Sequence, residues 1–184
     1  MADAYDAAAS NDVLAKATLL SLSSRVTTHA DLTNRADLDY YRVTLPAGGF
    51  GVLSVSVKTS GLSLLAPKLV VYDSAGALVA SVSASYGNDA MLRLTGLTPG
   101  KSYPIMVDGA SSDVFGMGAY TLDMFVPTLC DLDMDGQVTA SDYVILDADL
   151  GATKANWLTG DADGDSRVIT GFWMRTWAAR RCRA

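Results

Sequence analysis

The twelve residues 131–142, DLDMDGQVTASD, constrain this chain more than any other stretch of its sequence. Asp131, Asp133 and Asp135 alternate, Gly136 follows at once, and Asp142 closes the run. A solvated acidic loop has no need of that order. Carboxylates at positions 1, 3 and 5 of a tight loop converge on one point, and glycine at position 6 permits the sharp turn. A backbone carbonyl at position 7 and a carboxylate at position 12 complete a shell of hard oxygens. Asp131, Asp133, Asp135, the Gln137 carbonyl and Asp142 fill those slots, with Thr139 at position 9 and the apolar Val138 at position 8. The expected occupant is Ca²⁺, which takes roughly six to eight oxygens at about 2.3–2.6 Å. The one departure from the general pattern is Asp rather than Glu at position 12.

A second run, DADGDSRVITGF, occupies 161–172. Asp161, Asp163 and Asp165 repeat the alternation, Arg167 offers the carbonyl, and Val168 matches Val138. Ser166 stands where Gly136 stood, so the turn is strained. Phe172 at the last position cannot bind a cation. A second, weaker calcium loop is expected. Between the loops, Tyr143, Leu146 and Leu150 recur at helical spacing and Gly151 is a natural stop, so a helix is expected from Thr139 to Leu150. Loop plus helix, then loop again, reads as an internal duplication. The three Trp, at 157, 173 and 177, all lie here and suggest a small separate core. Cys130 and Cys182 either pair or stay free.

Before residue 126 the period is two. Tyr41, Val43 and Leu45 alternate with Arg42 and Thr44, and Leu53, Val55 and Val57 alternate with Ser54, Ser56 and Lys58. The patterns Tyr103, Ile105, Val107 and Tyr120, Leu122, Met124 repeat this. Period two means strands with one wet face. Turn signals fall between them at PAGG, DSAG and TPG. Pro104 suggests an edge strand or bulge, and residues 13–22 read as either a strand or a short helical lead-in. The expected fold is mainly β, an antiparallel β-sandwich of jelly-roll type over 5–126. A linker at 127–130 and a small α-helical module at 131–184 would follow.

A net charge of −6 and a pI near 4.5 argue against nucleic acid as a partner. No unbroken apolar run is long enough to span a membrane. The opening MADAYDAAASND has neither a basic n-region nor an apolar h-region, so a signal peptide is not visible. The chain is then either cytosolic or a piece of a longer secreted one. His29 is the single histidine, which excludes HExxH, and no GxSxG is present. His29 sits in the polar stretch TTHADL, which reads as a turn. The clustered carboxylates belong to the two loops, so no active site is expected.

Two DxDxDGxVxxxD-type loops, each leading into a helix and lacking a good entering helix, resemble a type I dockerin from residue 131 to about 177. The resemblance implies an EF-hand-like module holding two Ca²⁺ ions. It also implies docking onto a cohesin-like protein or another cell-surface component. By position, Ala140 and Ser141 of the first repeat and Thr170 and Gly171 of the second would dock. The tail MRTWAARRCRA departs from that family, whose module ends in an apolar helix. NDVLAKAT at 11–18, ADLDYYRVTLPAGG at 36–49, PKLVVYDSAGALVA at 67–80 and GAYTLDM at 118–124 resemble the bacterial pre-peptidase C-terminal domain. In related collagen-binding modules an acidic ND and a nearby Asp pair share a calcium ion. The matching residues here are Asn11, Asp12, Asp37 and Asp39, although AASND stands where that family has EPND. Plain turn-forming Asn and Asp is the alternative. Together the resemblances imply a monomeric, extracellular or cell-surface accessory region of a secreted bacterial hydrolase, with its catalytic domain outside this chain. The other reading is a stand-alone binder of carbohydrate or matrix protein, which an exposed aromatic strip on one sheet would favour.

Overall fold

The period-two stretches are strands in the computed structural model, which describes residues 10–161 and 166–168. The described strands are β1 (Thr18–Leu20), β2 (Val26–Leu32), β3 (Asp39–Thr44), β4 (Leu53–Lys58), β5 (Pro67–Tyr72), β6 (Leu78–Ser83), β7 (Ala90–Leu94), β8 (Ser102–Gly109) and β9 (Gly118–Phe125). They form a five-stranded sheet in the order β1-β3-β8-β5-β6 and a four-stranded sheet in the order β2-β9-β4-β7. The fold is mainly β and sandwich-like, with one described α-helix, α1 (Ala140–Ala148). Pairing is antiparallel for β2/β9, β3/β8, β5/β6 and β5/β8. β1 is an exception and runs parallel to β3, with Thr18 opposite Tyr41.

Alternation decides which side chains are covered in β3, whereas β4 and β8 are buried on both faces, so that Ser54 and Ser56, expected on a wet face, are covered as well. Tyr41 and Val43 of β3 are buried, while the alternate residues Tyr40 and Arg42 are only half-buried. Leu69 and Val71 of β5, Ile105 and Val107 of β8, Val55 and Val57 of β4, and Leu122 and Met124 of β9 are likewise buried. Each such side chain stabilises the fold by about 1.5–3 kcal/mol through area removed from water. The DSAG turn forms as expected. Asp73 Oδ1 accepts from the N–H groups of Ala75 and Ala77 at 2.8 Å, and Gly76 has φ +84°.

Three expectations need correction or resolution. β8 lies in the middle of its sheet, not at an edge. Its Pro104 is opposite Arg42, but the ladder to β5 ends one residue earlier, at Val71–Ile105. β8 is therefore paired on one side only at Pro104, which removes the demand for a second ladder bond. His29 lies within β2, not in a turn; its ring Nδ1 is 2.9 Å from Thr121 Oγ1 across the β2/β9 pair. Residues 13–22 supply both of the alternatives, a 3-10 turn at Leu14–Lys16 and then β1.

The packing forms two units. One is the sandwich; the other gathers Gly49–Ser54, Arg93–Leu97 and the chain from Val126 on. Within the second unit Val52, Leu132, Met134 and Trp157 form a buried cluster, with Val126, Leu129, Ile145 and Leu146 packed against it. Phe50 adds its ring at 5.3 Å from that of Trp157. Leu97 N–H donates to the Gly51 carbonyl at 2.8 Å, and Gly51 has φ +68°. A Cβ on Gly51 would lie 2.0 Å from Leu97 O, so only glycine fits this crossing. The segment 127–130, expected as a linker, contributes Leu129 to the cluster. Cys130 is buried and disulfide-bonded. Cys182, Trp173 and Trp177 lie outside the described residues.

Candidate metal centre

The acidic loop closes on its own carboxylates. Asp131 Oδ1 accepts from Asp135 N–H at 3.1 Å, and Asp131 Oδ2 accepts from Gly136 N–H at 3.1 Å. Gly136 has φ +96°, the conformation that position was expected to need. Asp142 reaches back, its Oδ1 accepting from Leu132 N–H at 2.7 Å and its Oδ2 from Thr139 N–H at 2.7 Å. The second of these bonds completes a capping box with Thr139 and fixes where α1 begins. Loop folding and helix initiation therefore share one side chain.

Leu132 and Met134, which alternate with the aspartates, are almost fully buried in the cluster around Trp157. The Trp157 indole N–H donates to the Asp131 carbonyl at 2.7 Å. Arg93 Nε donates to the Asp133 carbonyl at 2.7 Å, and Ser54 Oγ lies 3.4 Å from the Met134 carbonyl. The loop is thus held from outside through its backbone, which leaves its carboxylates to face one another.

Ligand oxygens of Asp131, Asp133 and Asp142 lie within 4.8 Å of one another, a carboxylate cluster able to hold a metal ion. Asp131 and Asp142 are buried and Asp133 is half-buried. Burial pushes the Asp131 carboxyl up to about 6, and the like charges of Asp142 and Asp135 add to that rise. Its backbone hydrogen bonds with Gly136 and Asp135 act the other way. Crowded, desolvated carboxylates are a donor set that a hard divalent cation neutralises. Asp135 is exposed and outside the trio; its Oδ1 accepts from Gln137 N–H at 2.7 Å. Val138 is half-buried, and Ala140 and Ser141 are exposed at the start of α1.

The helix differs from its expected register. It ends at Ala148, two residues before Leu150. Tyr143 and Leu150 are exposed, whereas Ile145 and Leu146 pack on the cluster. Asp142 faces inward, and the positions three and four residues after it follow it inward. The apolar spacing alone hid this, because the side chain that sets the rotation is a carboxylate.

The second loop repeats the first where it is described. Asp161 is buried like Asp131, and its Oδ2 accepts from Ser166 N–H at 2.9 Å, the counterpart of the Gly136 bond. Ser166 has φ +65°, the strained conformation expected of a non-glycine there. Asp163, Asp165, Thr170, Gly171 and Phe172 lie outside the described residues.

In the sandwich, Asn11, Asp37 and Asp39 are buried and Asp12 is exposed. Asn11 brackets the backbone of Tyr40: its carbonyl accepts from Tyr40 N–H at 3.0 Å and its Nδ2 donates to Tyr40 O at 3.2 Å. Its Oδ1 is buried without a hydrogen-bond partner. Asp37 Oδ2 accepts from the N–H and hydroxyl of Thr33 at 2.6 and 2.7 Å. Tyr120 donates to Asp39 Oδ2 at 2.5 Å and meets the Tyr41 hydroxyl at 2.8 Å. These residues do not form a carboxylate trio like that of the acidic loop.

The fold and the site together define a β-sandwich protein that carries an acidic cluster able to hold a metal ion. No protein-family model matches the chain, and no curated protein matches it. Solved structures do. The pre-peptidase C-terminal domain of a collagenase from Bacillus anthracis aligns at 18% identity over 59% of this chain and 93% of its own, with a TM-score of 0.41. A periplasmic inhibitor of g-type lysozyme from Aeromonas hydrophila aligns at 13% identity over 59% and 95%, also with a TM-score of 0.41. The carbohydrate-binding module CBM36, solved with calcium and xylotriose, aligns at 17% identity over 55% and 97%, with a TM-score of 0.35. Likenesses this weak carry no information about ligand or activity.

Proposed function

We propose that this chain is a non-catalytic, calcium-binding accessory region of a secreted bacterial hydrolase, working outside the cell or at its surface. The observation that carries the reading is the convergence of Asp131, Asp133 and Asp142 on one point, two of them buried. Asp135 joins them by a side-chain rotation, and the Gln137 carbonyl completes the set. Ca²⁺ supplies the charge that this crowded loop lacks. It ties the loop to the first turn of α1 through Asp142, so ordering of the module is coupled to calcium. The exposed Ala140 and Ser141 then present a dockerin-like face to a cohesin-like or cell-surface partner. Asn11, with its unpartnered buried oxygen, and the buried Asp37 and Asp39 are the candidates for a second, pre-peptidase-type calcium position in the sandwich, with plain turn-forming Asn and Asp as the alternative.

Calorimetric titration with CaCl₂ tests the reading. The wild-type chain binds, Asp131→Ala loses tight binding, and Asp161→Ala has a smaller effect because Phe172 leaves the second loop without its closing carboxylate. Full calcium binding by Asp131→Ala, or equal losses at the two loops, would contradict it. A second reading, the stand-alone binding module, rests on two half-buried tyrosines of the five-stranded sheet, Tyr40 and Tyr72.

A further inference from the structure

The outward side chains of β3, β8 and β5 form a strip across the five-stranded sheet. Tyr40 of β3 is opposite Met106 of β8, and Met106 is opposite Val70 of β5. The Tyr72 hydroxyl, at the end of β5, lies 3.9 Å from Met106 Sδ. Tyr40 and Tyr72 lie on the two strands that flank β8, about 10 Å apart across the sheet, and Tyr72, one residue beyond the Val71–Ile105 pair, is also displaced from the level of Tyr40 by about 7 Å along the strands. Met106 and Val70 face outward yet are only 6% and 4% exposed, so the flanking side chains cover them. Burial, with the nearby Tyr72 and Asp108, holds the Tyr40 hydroxyl above its usual range, which places these groups in one neighbourhood. The charges beside the strip cancel, since Lys68 Nζ lies 3.1 Å from Asp108 Oδ2.

We propose that this strip binds an uncharged, β-linked polysaccharide, with Tyr40 and Tyr72 as stacking platforms. A protein partner would need a wide apolar area, and the apolar floor here is already covered. What the strip offers is two rings, a self-neutralised ion pair and the exposed hydroxyls of Ser81 and Ser83 on β6. A pyranose suits this mixture. Its C–H face stacks on an aromatic ring, and its hydroxyls both donate to and accept from ammonium, carboxylate and serine. Two platforms about 12 Å apart on a diagonal are too far apart for one pyranose and suit separate units of an extended chain. The inference rests on the binding-module reading and not on the acidic loop.

Affinity electrophoresis of the full chain through gels holding xylan, hydroxyethylcellulose, galactomannan or soluble chitin oligomers tests it. Each gel is run with CaCl₂ and with chelator, so that a failed calcium loop is not mistaken for a failed strip. At least one polysaccharide retards the wild type. Tyr40→Ala and Tyr72→Ala each weaken retardation by roughly tenfold, whereas Tyr40→Phe and Tyr72→Phe keep it. Tyr86→Ala, which removes a 59% exposed ring from a loop, leaves it unchanged and serves as control. No retardation on any gel, or retardation that survives both Ala variants, overturns the proposal. Tyr-dependent binding to collagen in place of every polysaccharide overturns the choice of ligand.

Discussion

Asp131 is pulled in two directions. Burial and its acidic neighbours favour the protonated acid and raise it to about 6, whereas a bound cation requires the carboxylate. In the calcium-free protein its folded value lies above the ordinary 3.8. The stabilising contribution of its protonated form is then lost as pH rises from about 4 to about 6. For calcium the sign reverses, because protons compete for the site below about pH 6. We expect calcium affinity at pH 5 to fall about tenfold from its value at pH 7.5, one unit below the raised value leaving roughly a tenth of Asp131 ionised. Equal affinities at the two pH values would show that Asp131 is not held near 6 in the calcium-free protein. The place of this residue in a carboxylate cluster was legible in the sequence because spacing within one loop is a one-dimensional property. The Trp157 indole bond to its carbonyl was not, since it joins residues 26 apart and nothing local announces it.

Among the elements, the strands were the readable part, because period two is written directly in the chain. Cross-strand chemistry was not, because register creates it. Asp123 reads as an ordinary outward residue of β9, yet it is 3% exposed and serves two cations. Arg25 donates to both carboxylate oxygens, at 2.9 Å to Oδ1 and 2.5 Å to Oδ2, and Lys58 donates to Oδ2 at 2.9 Å. Arg25 also lies 4.6 Å over the Phe125 ring. The Arg25 hydrogen bond first, and then Lys58, lowers Asp123 to about 2. A depressed carboxylate stabilises the fold above its unfolded value near 3.8, and that stability is lost as pH falls toward 2. Arg25 and Lys58 are nearly half exposed, so water screens the pairs, and Asp123→Asn should cost about 1–2 kcal/mol at pH 7. The gap between wild type and variant should narrow from pH 4 to pH 2 in urea unfolding. A gap that stays constant with pH would mean that packing, not charge, makes Asp123 matter.

At the scale of the whole molecule, the composition shift near residue 126 marks where the loop-and-helix chain begins, but composition sees only chain order. The second packing unit also takes in Gly49–Ser54 and Arg93–Leu97, pieces that sequence reading treats as strand ends and turns. Val52 belongs to the buried cluster with Leu132, Met134 and Trp157, and Phe50 lies against the Trp157 ring. Arg93 and Ser54 hold the backbone of the acidic loop at Asp133 and Met134. A peptide of residues 126–184 lacks all four. Its single described α-helix spans Ala140–Ala148, which is too short to persist alone in water. Calcium must then supply the full ordering free energy of loop and helix, and that part is subtracted from affinity. We expect the isolated 126–184 peptide to bind calcium at least about tenfold more weakly than the full chain, the equivalent of about 1.4 kcal/mol. Its helical circular dichroism should appear only on calcium addition. Titration of peptide and full chain side by side measures both effects. Equal affinities, with helix present before calcium is added, would show that residues 126–184 fold without the borrowed segments.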